Sequence, residues 1–310
     1  MNSAFCCSVI LIYLLIHGLF VSLENSGVKN RSLNNLISDA LAIEDEAALE
    51  AGKVGFMARM LVQATMPHSD PKDHTFERVN GSFTLSMTAG SPKIGLPYGT
   101  IPRLLLSWIT TEAVKTKERE LILGDSMSGF MRQLDLVPTG GRWGSVTRLK
   151  DQTKRLFSAS VSCYTDTPEG YQNINFHVVK RSSLWWEPKN PHQQTLWQSS
   201  ILLDADFFDE ITNRPVPIDM RALKALKRSP LALDIYNWLT YRMSYLNRST
   251  VIPWEALQMQ FGSSYSEKRM FKYKFLEALK KVQLVYPEAR VCDSDKGLRL
   301  TPSKPHIAKS

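Results

Sequence analysis

Cysteine is scarce, with four in 310 residues. Cys6 and Cys7 are adjacent in an apolar run, while Cys163 and Cys292 stand singly in segments that alternate like strands. No CxxC pair and no Cys/His metal spacing occurs, which excludes a disulfide framework and points to reduced thiols in a cytoplasmic protein. Histidine is also sparse: His17, His68, His74, His177, His192 and His306 make no HxH or HExxH, and read as core or solvated residues rather than ligands. No GxxxxGK(S/T) loop is present, so P-loop ATP chemistry is not encoded. LGDSMSG places Ser126 after Asp125 but lacks the GxSxG elbow, and helix capping accounts for both residues. Asp204, Asp206, Asp209 and Glu210 read as a solvated acidic turn rather than a metal nest. These absences leave no catalytic residue, metal, cofactor or small-molecule substrate to expect.

Basic charge is what the chain has in excess. Lys and Arg number 38 against 30 Asp and Glu, a net charge of +8. The partners this favours are polyanions, nucleic acid before an acidic membrane surface. Hydrophobic residues make up 43% of the chain, enough for sizeable cores.

FCCSVILIYLLIHGLFV (Phe5–Val21) is almost wholly apolar. No Lys or Arg precedes it, so the positive flank of a secretory signal is missing, and its length sits at the lower limit for a bilayer span. We read residues 1–30 as an apolar extension carried by a mis-set start, with a membrane anchor as the alternative.

Residues 31–95 read as a helical and loop-like N-terminal region. Ser32–Met66 carries helical periodicity broken at Gly52 and Gly55, and Pro67–Gly95 is rich in turn signals around one short strand, Phe83–Met87. Two similar orders of elements follow. Over 96–212 come a helix from Pro102 to Lys117, a strand in RELILGD, a helix to Leu134, a helix over Ser145–Phe157, and strands in SASVSCY and YQNINFHVV. QTLWQSSILLDADFF reads as a further strand pair or an extended edge, and NRPVPID (Asn213–Asp219) as a boundary. Over 213–310 come a helix from Met220 to Leu246 broken at Ser229-Pro230, a strand in STVIPW, helices at Trp254–Phe261 and Tyr265–Val282, and strands in VQLVYP and LRLTPS. Helix, strand, helix, helix and hairpin, twice over, predict an α+β chain of tandem winged-helix domains.

The third helix of each order is basic on one face. In Ser145–Phe157, Val146, Leu149, Thr153, Leu156 and Phe157 share an arc, opposite Arg148, Gln152 and Arg155, with Lys150 and Lys154 at the edges. Arg142 adds a charge just before it. In Tyr265–Val282, Phe271, Phe275, Ala278, Leu279 and Val282 form the stripe, while Lys268, Arg269, Lys272, Tyr273, Lys274, Lys280 and Lys281 face away or flank it. One such helix is as well explained by solvation. Two at matching positions favour recognition of duplex DNA, with Arg and Gln suited to base edges and Lys to phosphates. Arg148 and Arg155 are the expected base readers, Lys272 and Lys281 the expected phosphate contacts. Trp185, Trp186 and Trp197 read as core or domain-interface filling.

GLPYGTIPRLLLSWITTEAVKTKERELILGDSMSGFMRQL, PTGGRWGSVTRLKDQTKRLFSASVSC, WEALQMQFGSSYSEKRMFKYKFLEALKKVQLVYPEARV and GLRLTPSKPHI resemble the plasmid-encoded RepA replication initiators. The resemblance spans about Gly52 to His306 in order. It implies a cytoplasmic protein that binds repeated sites (iterons) in double-stranded plasmid origin DNA, promotes melting, and recruits host initiator and helicase. It also implies autoregulation, a monomer–dimer equilibrium and a first domain that serves dimerisation. A winged-helix repressor or partition regulator is the rival, although one domain would suffice for it. A relaxase or metal nuclease would need a Tyr or carboxylate cluster with His ligands, which the sequence lacks.

Overall fold

The computed structural model describes residues 29–186, 189–195, 198–262, 265 and 267–307. The Phe5–Val21 run, Cys6, Cys7 and Trp197 lie outside the described residues. The first helix, α1, runs Lys29–Asp45. It stops well short of the Met66 that periodicity suggests, because the chain reverses through Gly52 in the left-handed region (φ +62°) and enters a strand, β1, Val54–Ala58. A short helix, α2 (Arg59–Gln63), follows. The segment expected as mostly loop then supplies two strands, β2 (Thr75–Asn80) and β3 (Phe83–Thr88).

The next elements fall close to expectation: α3 (Thr100–Thr116), β4 (Glu120–Gly124), α4 (Met127–Gln133), α5 (Ser145–Ser158), β5 (Ser160–Thr167) and β6 (Gly170–His177). Ser126 caps α4 by accepting a bond from the Gly129 amide, the role its sequence position suggests. Beyond them lie β7 (Val179–Ser183), β8 (Ser199–Leu203) and α6 (Ala205–Asn213). The stretch expected as a strand pair or an extended edge thus ends in a helix. Asp204 caps it through the Asp206 amide, and Phe207 and Ile211, one turn apart, are buried.

Asn213–Asp219, expected to separate two domains, carries β9 (Pro215–Asp219), which pairs antiparallel with β1. Gly55 is closely packed in that pair, since a Cβ would lie 2.3 Å from Met220 Sδ and force that side chain to move. The last part contains α7 (Met220–Leu226), α8 (Pro230–Met243), β10 (Thr250–Ile252), α9 (Trp254–Phe261), α10 (Lys268–Val285), β11 (Val291–Ser294) and β12 (Gly297–Leu300). Val285, expected in a strand, instead extends the buried stripe of α10 one turn beyond Val282.

The two orders of elements are paired differently. In the second, β10, β12 and β11 form one sheet in that order. In the first, β4 joins β8 and β7, while the β5–β6 hairpin is extended by β3 and β2. Once β3 occupies the free side of β5, no edge there remains for β4.

One apolar core runs through both halves. At its centre Arg103 of α3, only 2% exposed, meets Asp234 of α8. The guanidinium also donates to the Met66, Pro67 and Gly99 carbonyls at 2.7, 3.1 and 2.6 Å. His68 Nε2 lies 2.8 Å from the same carboxylate. Among the described residues no helix is long and apolar enough to cross a membrane.

Candidate nucleic-acid interface

The turn before α5 is closed by reciprocal bonds between Thr139 and Ser145. The Thr139 amide donates to Ser145 Oγ at 2.9 Å, the Ser145 amide to Thr139 Oγ1 at 2.9 Å, and Ser145 Oγ to the Val137 carbonyl at 2.6 Å. Thr147 Oγ1 ties the first turn of the helix to the Gly141 carbonyl. Gly144 is the tight point: a Cβ would stand 2.2 Å from the Thr139 carbonyl oxygen. This frame holds Arg142 and Trp143 outward, the guanidinium 5.1 Å from the indole ring centre. Trp143 is 80% exposed.

Along α5, Val146, Leu149, Thr153 and Leu156 are buried, while Arg148, Lys150 and Lys154 are exposed. Among the described residues none of these three, nor Arg142, has a carboxylate within ion-pair distance. Their positive charge is therefore uncompensated.

Gln152 and Arg155 depart from the expected outward face. Gln152 is buried and its Oε1 accepts from the Tyr98 amide at 2.9 Å. Arg155 binds Asp151 at 2.9 Å and the Leu96 carbonyl at 3.2 Å, with its guanidinium 5.2 Å from the Tyr98 ring centre. The loop that leads into α3 crosses this side of α5, a tertiary contact that helical periodicity does not contain. Both residues position that loop, and only Arg148 of the three stays open to a ligand.

On α10, Phe271, Phe275, Ala278, Leu279 and Val282 are buried, and Trp254 packs edge-on to Phe275 at 5.6 Å. Arg269, Tyr273, Lys280 and Lys281 are exposed and, among the described residues, without an acidic partner. Three other basic residues are occupied. Lys268 pairs with Glu255 at 2.5 Å, Lys272 with Asp293 at 2.8 Å, and Lys274 with Glu277 at 3.0 Å. Lys272 also lies 5.0 Å from the Trp254 ring centre, so it braces α10 against β11 rather than standing free for phosphate. Lys274 is raised above its ordinary value by its bond to Glu277.

The hairpins add residues that helix periodicity alone passes over. Lys296 in the β11–β12 turn and Arg299 on β12, opposite Cys292, are exposed. Lys180 and Arg181 are exposed as well, but on β7, which pairs with β8 and lies outside the β5–β6 hairpin. The signal for Lys296 and Arg299 is the position of charge on a hairpin following a basic helix.

Trp186 stacks on Phe130 with ring centres 5.1 Å apart, whereas Trp185 is exposed. Among the described residues no group of three or more His, Cys, Asp or Glu side chains could hold a metal ion. Of the acidic turn, Asp204 caps α6 and Glu210 binds Arg59 at 3.2 Å. Cys163 is buried, and that burial pushes its thiol up to about 12.

A family model described as plasmid-encoded RepA protein matches residues 96–256, which contain α5 and its turn and end inside α9. No curated protein matches the sequence. Among solved structures, the crystal structure of domains 2 and 3 of RctB is similar in fold, with a TM-score of 0.52 at 10% identity. That similarity covers 80% of this chain and 99% of the solved one.

Proposed function

The chain belongs to the plasmid-encoded RepA family, and on that premise we propose that it is a replication initiator that binds duplex DNA through α5 and α10. The observation that carries this reading is the pairing of two amphipathic helices, each anchored by a buried stripe. Each exposes basic residues that have no acidic partner among the described residues: Arg142, Arg148, Lys150 and Lys154 on and before one, Arg269, Lys280 and Lys281 on the other. Each is followed by a hairpin. Such helices enter the major groove while the hairpin tracks the backbone.

In this reading 96–212 and 213–310 are two winged-helix units, and 31–95 spans both through β1 and the β2–β3 pair. Arg148 and Arg269 read bases, and the lysines neutralise phosphates. The protein acts in the cytoplasm without catalysis of its own, binds repeated origin sites, promotes melting, recruits host initiator and helicase, and represses its own synthesis as monomer and dimer exchange.

The test is replication of a plasmid that carries this gene and its flanking repeats in a host with no other initiator for it. Replication lost on deletion of the gene, and restored when it is supplied in trans, supports the proposal. Replication that persists without the gene, with only transcription altered, makes the protein a repressor instead.

A further inference from the structure

We infer that Trp143, flanked by Arg142, is a base-stacking contact that engages nucleobases taken out of the duplex stack. The inference rests on the DNA-binding reading above and assigns to one side chain a task that the basic residues cannot perform.

Trp143 is 80% exposed at the tip of the turn, the most exposed of the large apolar side chains among the described residues. Here the turn is rigid. The Thr139–Ser145 bonds close it, Gly144 permits no side chain, and Gly141 takes a positive φ of +85°. The indole is therefore presented on a preorganised backbone, so little further ordering is needed when it binds.

Charge decides the class of partner. Arg142 lies against the indole, and Arg148, Lys150 and Lys154 follow on the helix that the turn opens, none with a carboxylate at ion-pair distance among the described residues. A positive surface with one exposed aromatic face is the arrangement that holds unstacked bases: cations take the phosphates and the ring stacks on any base. Arg142, 5.1 Å from the ring centre, can bridge the indole to the backbone phosphate. The indole immediately precedes the helix proposed to lie in the groove.

The test uses the full chain and three fluorescein-labelled probes: a 30-base-pair duplex, the same duplex with a four-nucleotide mismatch bubble, and an oligo-dT strand. Binding is followed by anisotropy for wild type, Trp143→Ala, Trp143→Phe and Arg148→Ala. Wild type is expected to prefer the bubble, Trp143→Ala to lose that preference by roughly 5- to 100-fold, and Trp143→Phe to keep most of it. Arg148→Ala is expected to weaken duplex and bubble alike, with the preference intact. If wild type binds the duplex but Trp143→Ala matches it on every probe, the stacking assignment is overturned and the indole is a protein contact. If wild type binds none of the three, the DNA-binding reading itself falls.

Discussion

The Arg103 guanidinium and the Asp234 carboxylate face each other through two hydrogen bonds of 2.7 Å, from Nε to Oδ1 and from Nη2 to Oδ2. They belong to α3 and α8, so the pair joins the two halves of the chain at a point sealed from water. Burial alone would raise Asp234. Arg103 and the bond from His68 outweigh it and hold the carboxyl below its usual value. Removing one partner leaves the other charged and stranded, which typically costs about 3–5 kcal/mol. Asp234→Ala and Arg103→Ala are therefore expected to unfold at much lower urea concentration, while their double variant recovers part of the loss. Equal stability of wild type and single variants would remove the pair from this role.

The same cluster predicts how stability responds to pH. Burial lowers His68 despite its bond to Asp234, and burial likewise lowers His306, which lies 2.8 Å from the Tyr236 hydroxyl. A histidine lowered in the folded state takes its proton first in the unfolded chain. Stability is thus highest above the ordinary histidine value near 6.5 and falls as pH drops below it. Asp234, also lowered, adds a further loss only in stronger acid, as pH falls through its own depressed value. Thermal unfolding at pH 7.5 and 5.5 should show the lower Tm at 5.5, and His68→Gln with His306→Gln should flatten the difference.

Gly144→Ala is expected to distort the turn that presents Trp143, because the new Cβ would meet the Thr139 and Gly140 carbonyl oxygens at 2.2 and 2.3 Å. Overpacking of this kind costs about 1–3 kcal/mol. A denaturant melt measures the loss, and intrinsic fluorescence reports the displaced indole.

Gln152→Ala removes the acceptor of the Tyr98 amide. It should cost on the order of 1–2 kcal/mol of stability and leave the ranking of DNA sequences unchanged. A changed base preference in a competition gel shift would return Gln152 to the recognition surface.

Gln152 also marks where the sequence stops being legible. The helix around it, its buried stripe and its exposed Arg148, Lys150 and Lys154 all follow from periodicity, a local property of the chain. What covers its far side does not, since Leu96 and Tyr98 reach it from more than fifty residues upstream. Lys272 is the same case on α10, occupied by Asp293 from a later strand. The β1–β9 pair is hidden from local pattern because Val54–Ala58 and Pro215–Asp219 find each other across most of the chain. Ala205–Phe208 reads as strand because the helix it opens is short and follows an apolar strand directly, with the Asp204 cap as the one local sign. The repeated order of helices and hairpins is readable, whereas the sheet that β4 joins depends on β7 and β8.

If α5 and α10 together grip one duplex, the salt dependence of binding reads it out. Affinity for a labelled origin duplex is measured from low to moderate salt for wild type, for Arg148/Lys150/Lys154→Ala on α5 and for Arg269/Lys280/Lys281→Ala on α10. Each triple variant should bind more weakly, and its slope of log affinity against log salt should flatten by roughly 0.9 for every phosphate no longer neutralised. Wild-type affinity and slope in both variants would mean that neither helix grips the DNA backbone.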